Sequence, residues 1–191
     1  MHGEAQARAL QTLLDRIHFD VVLTSPAVRA RRTCELAGPG LPPAAIEPDL
    51  AEWDYGHYEG KTSADIRNDQ PGWNCYRDGG PGGESAGDVS DRADRLLARL
   101  RQLHGNVALF SHSQFGCSLA ARWIGLPVLL GGHFQLGTAS LSILGFNLSH
   151  PGLHVIAQWN VPAPMTDATL SRPASTERGA NMAINHKRLE A

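Results

Sequence analysis

The sequence has few cysteines, no long apolar run and no excess of basic charge, and each shortage excludes a class of protein. Its three cysteines include no CxxC pair, which argues against a disulfide framework or a zinc ribbon. No apolar stretch approaches the roughly 20 residues of a transmembrane helix, and the N-terminus lacks a signal-peptide pattern. With 17 basic and 19 acidic residues the net charge is -2, which argues against a nucleic-acid binder or a membrane-surface protein.

A metal site is not predicted either. The nine histidines form no HxH or HExxH pattern, and Pro151-Gly152 separates His150 from His154, so these two cannot share one face of a helix. The chain of 191 residues is long enough to bury roughly two-thirds of its unfolded surface, so its stability does not require a metal ion or a disulfide bond. We therefore predict a soluble, cytoplasmic protein without metal; the sequence does not indicate an oligomeric state.

Apolar periodicity predicts an alternation of helices and strands over residues 1–160. Strands are predicted at 20–24, 106–111, 138–146 and 153–159, and helices at 4–16, 27–36, 114–124 and around 89–100. The alternation is typical of the α/β class and predicts a three-layer α/β/α sandwich with a mostly parallel sheet. Residues 161–191 are rich in Pro, Ser, Thr, Asn and charge with little periodicity, which predicts a poorly ordered C-terminal tail.

Two strand-to-helix junctions carry residues suited to binding an anion. Ligands of open α/β sheets sit beyond the carboxyl ends of the strands, where helix N-termini favour anions. Arg29 lies in the first turn of the helix after Ser25-Pro26, with Ser25 as the predicted N-cap, and His112 directly follows a strand. Both residues are candidates for binding a phosphoryl group. The alternatives are a solvated arginine and a structural histidine.

Glu52 is the third candidate, and it lies in an aromatic-rich stretch. A carboxyl group among aromatic side chains can have a raised pKa and serve as a general acid. The alternative is an ordinary loop acid, because Asp49, Asp54 and Glu59 are close in sequence. The nearby aromatic residues either line the leaving-group side of a site or belong to the core: Trp53, Tyr55, Trp73 and Tyr76.

Four segments, taken in order, form a more specific pattern than any of them alone. They are Thr24-Ser25-Pro26-Ala-Val-Arg29, Leu50-Ala-Glu52-Trp-Asp-Tyr-Gly56, Gly82-Gly-Glu-Ser85 and Phe110-Ser-His112. From about residue 3 to residue 159 the chain resembles the histidine phosphatase superfamily, with its phosphoglycerate mutase-like fold, and specifically the small bacterial phosphatases.

The resemblance implies a domain over residues 1–160 and a role for each candidate. Arg29 matches a phosphate-binding arginine, Glu52 matches the acid that protonates the leaving group, and His112 matches a histidine that holds the phosphoryl group. The implied activity is hydrolysis of a small phosphorylated metabolite through a phosphohistidine intermediate, without a cofactor.

The chain departs from the family pattern at its N-terminus. Family members begin with a strand that ends in Arg-His-Gly and carries the nucleophilic histidine, whereas His2-Gly3-Glu4 lacks both the arginine and the strand. We therefore expect an N-terminally truncated domain, which lacks the nucleophile and is inactive as given. One alternative is a non-catalytic relative that binds phosphate or a partner, and another is a mutase-type phosphotransferase.

Overall fold

The computed structural model describes residues 2–164 and 180–186. Within these ranges the chain forms seven α-helices, three short 3-10 helices (Pro48–Leu50, Gly56–Tyr58 and Val128–His133) and six strands. The helices are α1 (His2–Ala9), α2 (Gln11–Leu14), α3 (Val28–Ala37), α4 (Ser63–Asp69), α5 (Cys75–Asp78), α6 (Ala86–Leu100) and α7 (Ser113–Trp123). The strands are β1 (Val21–Thr24), β2 (Ala45–Ile46), β3 (Gly105–Ser111), β4 (Ser140–Phe146), β5 (His154–Pro162) and β6 (Ala180–His186).

The six strands form one sheet in the order β2-β1-β3-β6-β4-β5. Strands β2, β1 and β3 run parallel to one another, as do β6 and β4. The pairs β3–β6 and β4–β5 are antiparallel. Three of the five pairs in the described sheet are therefore parallel, as the sequence predicts.

Helices cover both faces of the sheet, because alternate side chains of a buried strand point to opposite sides. On β3, Val107 and Leu109 belong to a core cluster with residues of α6 and α7. Ala108 and Phe110 belong to a second cluster, with residues of α2 and α3. The predicted three-layer α/β/α sandwich is confirmed.

Strand β6 corrects part of the predicted tail. The composition of residues 161–191 predicts poor order, whereas the backbone of 180–186 pairs with β3 along its whole length and with β4, and β5 extends to Pro162. An empty position between β3 and β4 would leave their facing N–H and C=O groups without partners, so sheet pairing overrides a weak local propensity. The remaining tail residues, 165–179 and 187–191, lie outside the described residues.

Two helix starts follow from local sequence. Thr62 and Ser85 each accept a hydrogen bond from the backbone N–H three residues later, and Asp65 and Asp88 accept one in return. These are reciprocal capping boxes. Over residues 2–164 and 180–186, no helix is long and apolar enough to cross a membrane.

Candidate active site

The carboxyl ends of β1 and β3 bring the segment with Arg29 and the segment with His112 together. The two strands are parallel neighbours, with Thr24 opposite Phe110, so both end at the same edge of the sheet. The Ser25 N–H donates to the Phe110 carbonyl at 2.9 Å. Ser25 after β1 and His112 after β3 are thereby held side by side.

His112 is fully buried, and each of its ring nitrogens has a hydrogen-bond partner from the β1–α3 segment. Arg29 Nε donates to His112 Nδ1 at 3.1 Å, and Ser25 Oγ lies 2.7 Å from His112 Nε2. His112 is also the N-cap residue of α7, so the imidazole lies at a helix terminus that favours anions. Arg29 and His112, 83 positions apart in sequence, are therefore in direct contact at the N-terminus of α7.

Ser25 has a different local role from the one the sequence predicts. The N-cap of α3 is Ala27, whose backbone is extended, and no side chain caps this helix. Ser25 Oγ accepts the Ala27 N–H at 3.2 Å and faces His112 at the same time. The Ser25 hydroxyl thus closes a tight turn ahead of α3 and contacts the imidazole, and it does not cap the helix.

Glu52 reaches the same place from a separate loop. Its Oε1 accepts the Phe115 N–H at 2.9 Å and the Trp53 N–H at 3.0 Å, and its Oε2 accepts the Gln114 N–H at 3.4 Å. Phe115 and Gln114 lie in the first turn of α7, directly after His112. The structure thus brings Arg29, Glu52 and His112 to one helix terminus.

Burial raises the pKa of the Glu52 carboxyl above its ordinary value. The backbone bonds from Phe115, Trp53 and Gln114 and the positive charge of Arg29 act in the opposite direction, without cancelling the effect of burial. A carboxyl group with a raised pKa retains a proton closer to neutral pH and can donate it.

The raised pKa of Glu52 predicts a pH-dependent cost in stability. The folded chain holds this proton more tightly than the unfolded chain, in which a glutamic acid titrates at about pH 4.3. The stabilising contribution is full below that pH and is lost as the pH rises through the folded-state value. We expect Glu52→Gln, which cannot ionise, to have a higher free energy of unfolding than wild type near pH 8, and the difference to shrink toward about pH 4.

Urea unfolding across this pH range measures the difference. Glu35→Gln is the control, because Glu35 is an exposed acid on α3. A Glu52→Gln variant that loses stability equally at every pH would contradict the assigned burial effect.

The aromatic residues around Glu52 belong mainly to the core. Trp53, Tyr55 and Trp73 are buried in the same cluster as α6 and α7. Tyr76 is partly buried, and its ring meets Trp53 edge-on at 5.6 Å. Burial raises the pKa of the Tyr76 hydroxyl, and the nearby thiol of Cys117 and the Glu52 carboxylate contribute. Of the four aromatic side chains, Tyr76 is therefore the one that is only partly buried.

Arg92 holds the Glu52 loop in place, and sequence reasoning missed it. Its guanidinium binds both carboxylate oxygens of Glu84 at 2.7 Å and donates to the carbonyls of Asp49 and Ala51 at 2.9 and 2.8 Å. The same group lies 4.2 Å from the ring centre of Phe115. The Arg92 side chain thus connects the loop before Glu52, helix α6 and the first turn of α7.

The position of Arg92 in the sequence indicates that its side chain is buried. Arg92 lies three residues after Val89 and four before Leu96, on the apolar face of α6, and it is 7% exposed. An arginine on the buried face of an amphipathic helix is rarely without a partner. Its partners, however, are set by tertiary contacts.

The described residues contain no group of three or more His, Cys, Asp or Glu side chains arranged to hold a metal ion. The three cysteines are buried and form no disulfide bond. The site as described is built from Arg29, Glu52 and His112 with neutral hydroxyl and backbone groups around them.

Comparison with known proteins gives matches along most of the chain. The profile of the histidine phosphatase superfamily (branch 1) matches residues 1–160. An acid phosphatase of Mycobacterium tuberculosis is 38% identical over 167 residues, which cover 85% of this chain and 81% of that protein. The adenosylcobalamin/alpha-ribazole phosphatase of Escherichia coli is 31% identical over 163 residues, covering 81% of this chain and 80% of that protein.

Solved structures agree with the sequence comparison. A functionally characterised open reading frame from Mycobacterium tuberculosis superposes with a TM-score of 0.77 at 36% identity, covering 84% of this chain and 83% of that one. The matching relatives named here as enzymes are phosphatases, and the resemblance drawn from the four sequence segments is confirmed at the level of the family. The chain belongs to the histidine phosphatase superfamily, branch 1.

Proposed function

We propose that this site binds the phosphoryl group of a small phosphorylated metabolite and belongs to a phosphomonoesterase that works through a phosphohistidine. The observation that carries the proposal is the contact between Arg29 and His112 at the N-terminus of α7, with Glu52 on the same helix turn. Two cationic or polar donors and a helix terminus face one place, which suits a tetrahedral dianion.

Arg29 and His112 hold the equatorial phosphoryl oxygens in this proposal. In phosphoryl transfer the negative charge is spread over those oxygens, and cationic groups fixed in advance stabilise it. Arg29 is exposed at the rim whereas His112 lies at the base. An anion entering from solvent would therefore meet the guanidinium first.

Glu52 acts as the general acid. As the bond between phosphorus and the ester oxygen breaks, the carboxyl group donates its proton to the leaving alkoxide; it then takes a proton from the water that attacks the phosphohistidine. Acid–base assistance of this kind contributes on the order of 10²–10⁴-fold in rate. The pKa raised by burial supports this role.

The attacking imidazole must approach phosphorus from the side opposite the leaving group. The 191 residues contain no Arg-His-Gly segment of the kind that carries this imidazole in the family. Strand β6 runs antiparallel to β3, so Ala180 lies beside Ser111 and His186 lies beside Gly105. The backbone of His186 is therefore about 20 Å from the site along the sheet. We propose that these 191 residues bind phosphate without turning over an ester.

Phosphate binding tests the site directly. We expect Arg29→Ala to weaken the binding of inorganic phosphate or vanadate by about 10- to 100-fold, because hydrogen bonds to charged groups contribute about 1.5–3 kcal/mol. Titration calorimetry measures the affinity. Arg31→Ala is the matched control, since Arg31 is an exposed arginine of the same helix. Equal affinities of Arg29→Ala and wild type would refute the assignment.

A turnover assay tests the missing nucleophile. We expect the 191-residue chain to bind phosphate and release none from p-nitrophenyl phosphate. Steady release, abolished by Glu52→Gln, would show instead that a histidine within these residues acts as the nucleophile. Release that persists in both the Arg29→Ala and the Glu52→Gln variants would point to a contaminant.

A further inference from the structure

The loop that carries Glu52 is held through its backbone carbonyls. Arg92 on α6 donates to three of them, those of Asp49, Ala51 and Glu52. The carbonyl of Leu50, in the middle of this stretch, accepts a hydrogen bond from the Ser111 hydroxyl at 2.8 Å. A carbonyl oxygen can only accept, so the hydroxyl is the donor in this bond. The loop is therefore attached from α6 through Arg92 and from β3 through Ser111.

The bond between Ser111 and Leu50 joins the two sides of the site. Ser111 directly precedes His112 in the chain, and Leu50 lies two residues before Glu52. Both partners are buried, with exposed fractions of 4% for Ser111 and 0% for Leu50. The bond spans 61 positions of the sequence. It attaches the Glu52 loop to the carboxyl end of β3, beside the histidine that we assign to phosphate binding.

Glu52 makes a second attachment to the same region through its own carboxyl group. Its Oε1 accepts the N–H of Phe115, three residues after His112, at 2.9 Å. This bond is strongest when the carboxyl group is ionised, because an ionised acceptor forms hydrogen bonds roughly twice as strong as those of a neutral one. A general acid passes between both forms in each cycle, so this attachment changes in strength during the reaction. The Ser111 hydroxyl keeps its proton in both forms, so its bond to the loop does not depend on that change.

Two attachments fix the carboxyl group, whereas with one alone the loop can turn about it. Resting on the function proposed above, we infer that Ser111 is a positioning residue for the acid–base step: its hydroxyl holds the backbone before Glu52 against the end of β3 and so sets the spacing between Glu52 and His112. The spacing matters because a misplacement of about 1 Å can cost about 10²-fold in rate. Ser111 acts on the reaction only through the position of Glu52.

The amide signals of Phe115 and Gln114 report where the Glu52 carboxyl group lies. Both N–H groups donate to it, at 2.9 and 3.4 Å, so their NMR shifts should follow its ionisation between about pH 4 and pH 9. The Glu52→Gln variant, whose side chain cannot ionise, identifies the part of each shift that is due to Glu52. That part is the quantity compared between variants.

The other ionisable groups near Glu52 do not obscure this signal. Among the described residues they lie on several elements: Arg29, Arg92, His112, Glu84, Tyr76 and Cys117. The arginines stay charged over this range. Burial raises the pKa of the Cys117 thiol to about 12 and raises that of the Tyr76 hydroxyl as well, so both stay neutral. Any component that remains in Glu52→Gln comes from the other groups and is subtracted.

Ser111→Ala is expected to lose more than half of the Glu52-dependent shift of both amides while the chain stays folded, because the released loop lets the carboxylate leave the helix terminus. Ser140→Ala is the matched control. Ser140 is also a buried serine, but its hydroxyl donates to the Gly137 carbonyl at 2.8 Å, so this variant should keep the wild-type titration. Ser111→Cys keeps the shape of the side chain with only a weak donor; it should lose the shift too, and it provides the test if Ser111→Ala does not fold.

A merely structural role of Ser111 gives a different result. Ser111→Ala would then have a lower free energy of unfolding and the amide titration of the wild type, which would overturn the inference and leave the phosphate site intact. An equal loss of the shift in Ser140→Ala would also overturn it, because the removal of any buried hydroxyl would then suffice. The NMR measurement needs neither phosphate nor turnover. Failure of the wild type to bind phosphate would therefore overturn the proposed function, while the amide shifts would still show whether Ser111 holds Glu52.

Discussion

Removing residues 165–191 is expected to abolish cooperative unfolding. Strand β6 pairs with β3 at seven positions and with β4 at four, and it occupies an interior position of the described sheet. Its loss would expose two strand edges rich in buried apolar residues, and the net stability of a domain is only about 5–15 kcal/mol. We expect retained far-ultraviolet circular dichroism, a lost near-ultraviolet signal and aggregation, as in a molten globule.

A shorter deletion supplies the control for this result. Removing only residues 187–191 leaves β6 complete and should give the unfolding midpoint of the full chain. Sedimentation and urea unfolding compare the three proteins. A chain ending at Pro164 that unfolds cooperatively at the full-length midpoint would mean that β6 contributes nothing to the sheet.

Arg92→Ala is expected to lower the free energy of unfolding by about 3–5 kcal/mol. Removal of one partner from a buried ion pair leaves the other charge without compensation, and costs of that size follow. Here Glu84 would lose both bonds at 2.7 Å, and the carbonyls of Asp49 and Ala51 would lose their donor. Because these carbonyls lie immediately before Glu52 in the chain, the position of the acid also depends on Arg92.

Two further variants provide the comparison. Arg95→Ala removes an exposed arginine whose ion pair with Asp49 lies at the surface, and it should cost less than about 1 kcal/mol. Glu84→Gln combined with Arg92→Met removes both charges of the pair and should recover part of the loss. Urea unfolding measures all of them. Equal costs for Arg92→Ala and Arg95→Ala would show that burial of the pair does not matter.

Local patterns in the sequence were sufficient to predict much of the architecture. The helix periodicity around Val89–Leu100 and the apolar run ending at Ser111 predict α6 and β3 to within a few residues. The capping box at Thr62–Asp65 is equally local. These features depend on neighbours within about four residues, and that is the range over which propensity and capping act. The order of the four family segments likewise needed no structure.

Long-range contacts decided the remaining features. Ser25 is predicted to be a helix cap because capping depends on residues close in sequence. In the structure its hydroxyl contacts the imidazole of His112, 87 positions away. In the sequence Arg92 is only one residue of a predicted helix. Its role in holding the Glu52 loop comes from bonds to carbonyls of that loop, more than 40 positions away. Strand β6 has little local signal and is ordered by the open position between two strands.

The sequence by itself determined the family, the α/β class and the identity of Arg29, Glu52 and His112 as candidates, since each depends on residue type and order along the chain. Only the tertiary structure decided that these three side chains share one helix terminus and what fills the centre of the sheet. Side-chain contacts and strand pairing are set by groups far apart in sequence, so they become defined only when the chain has folded.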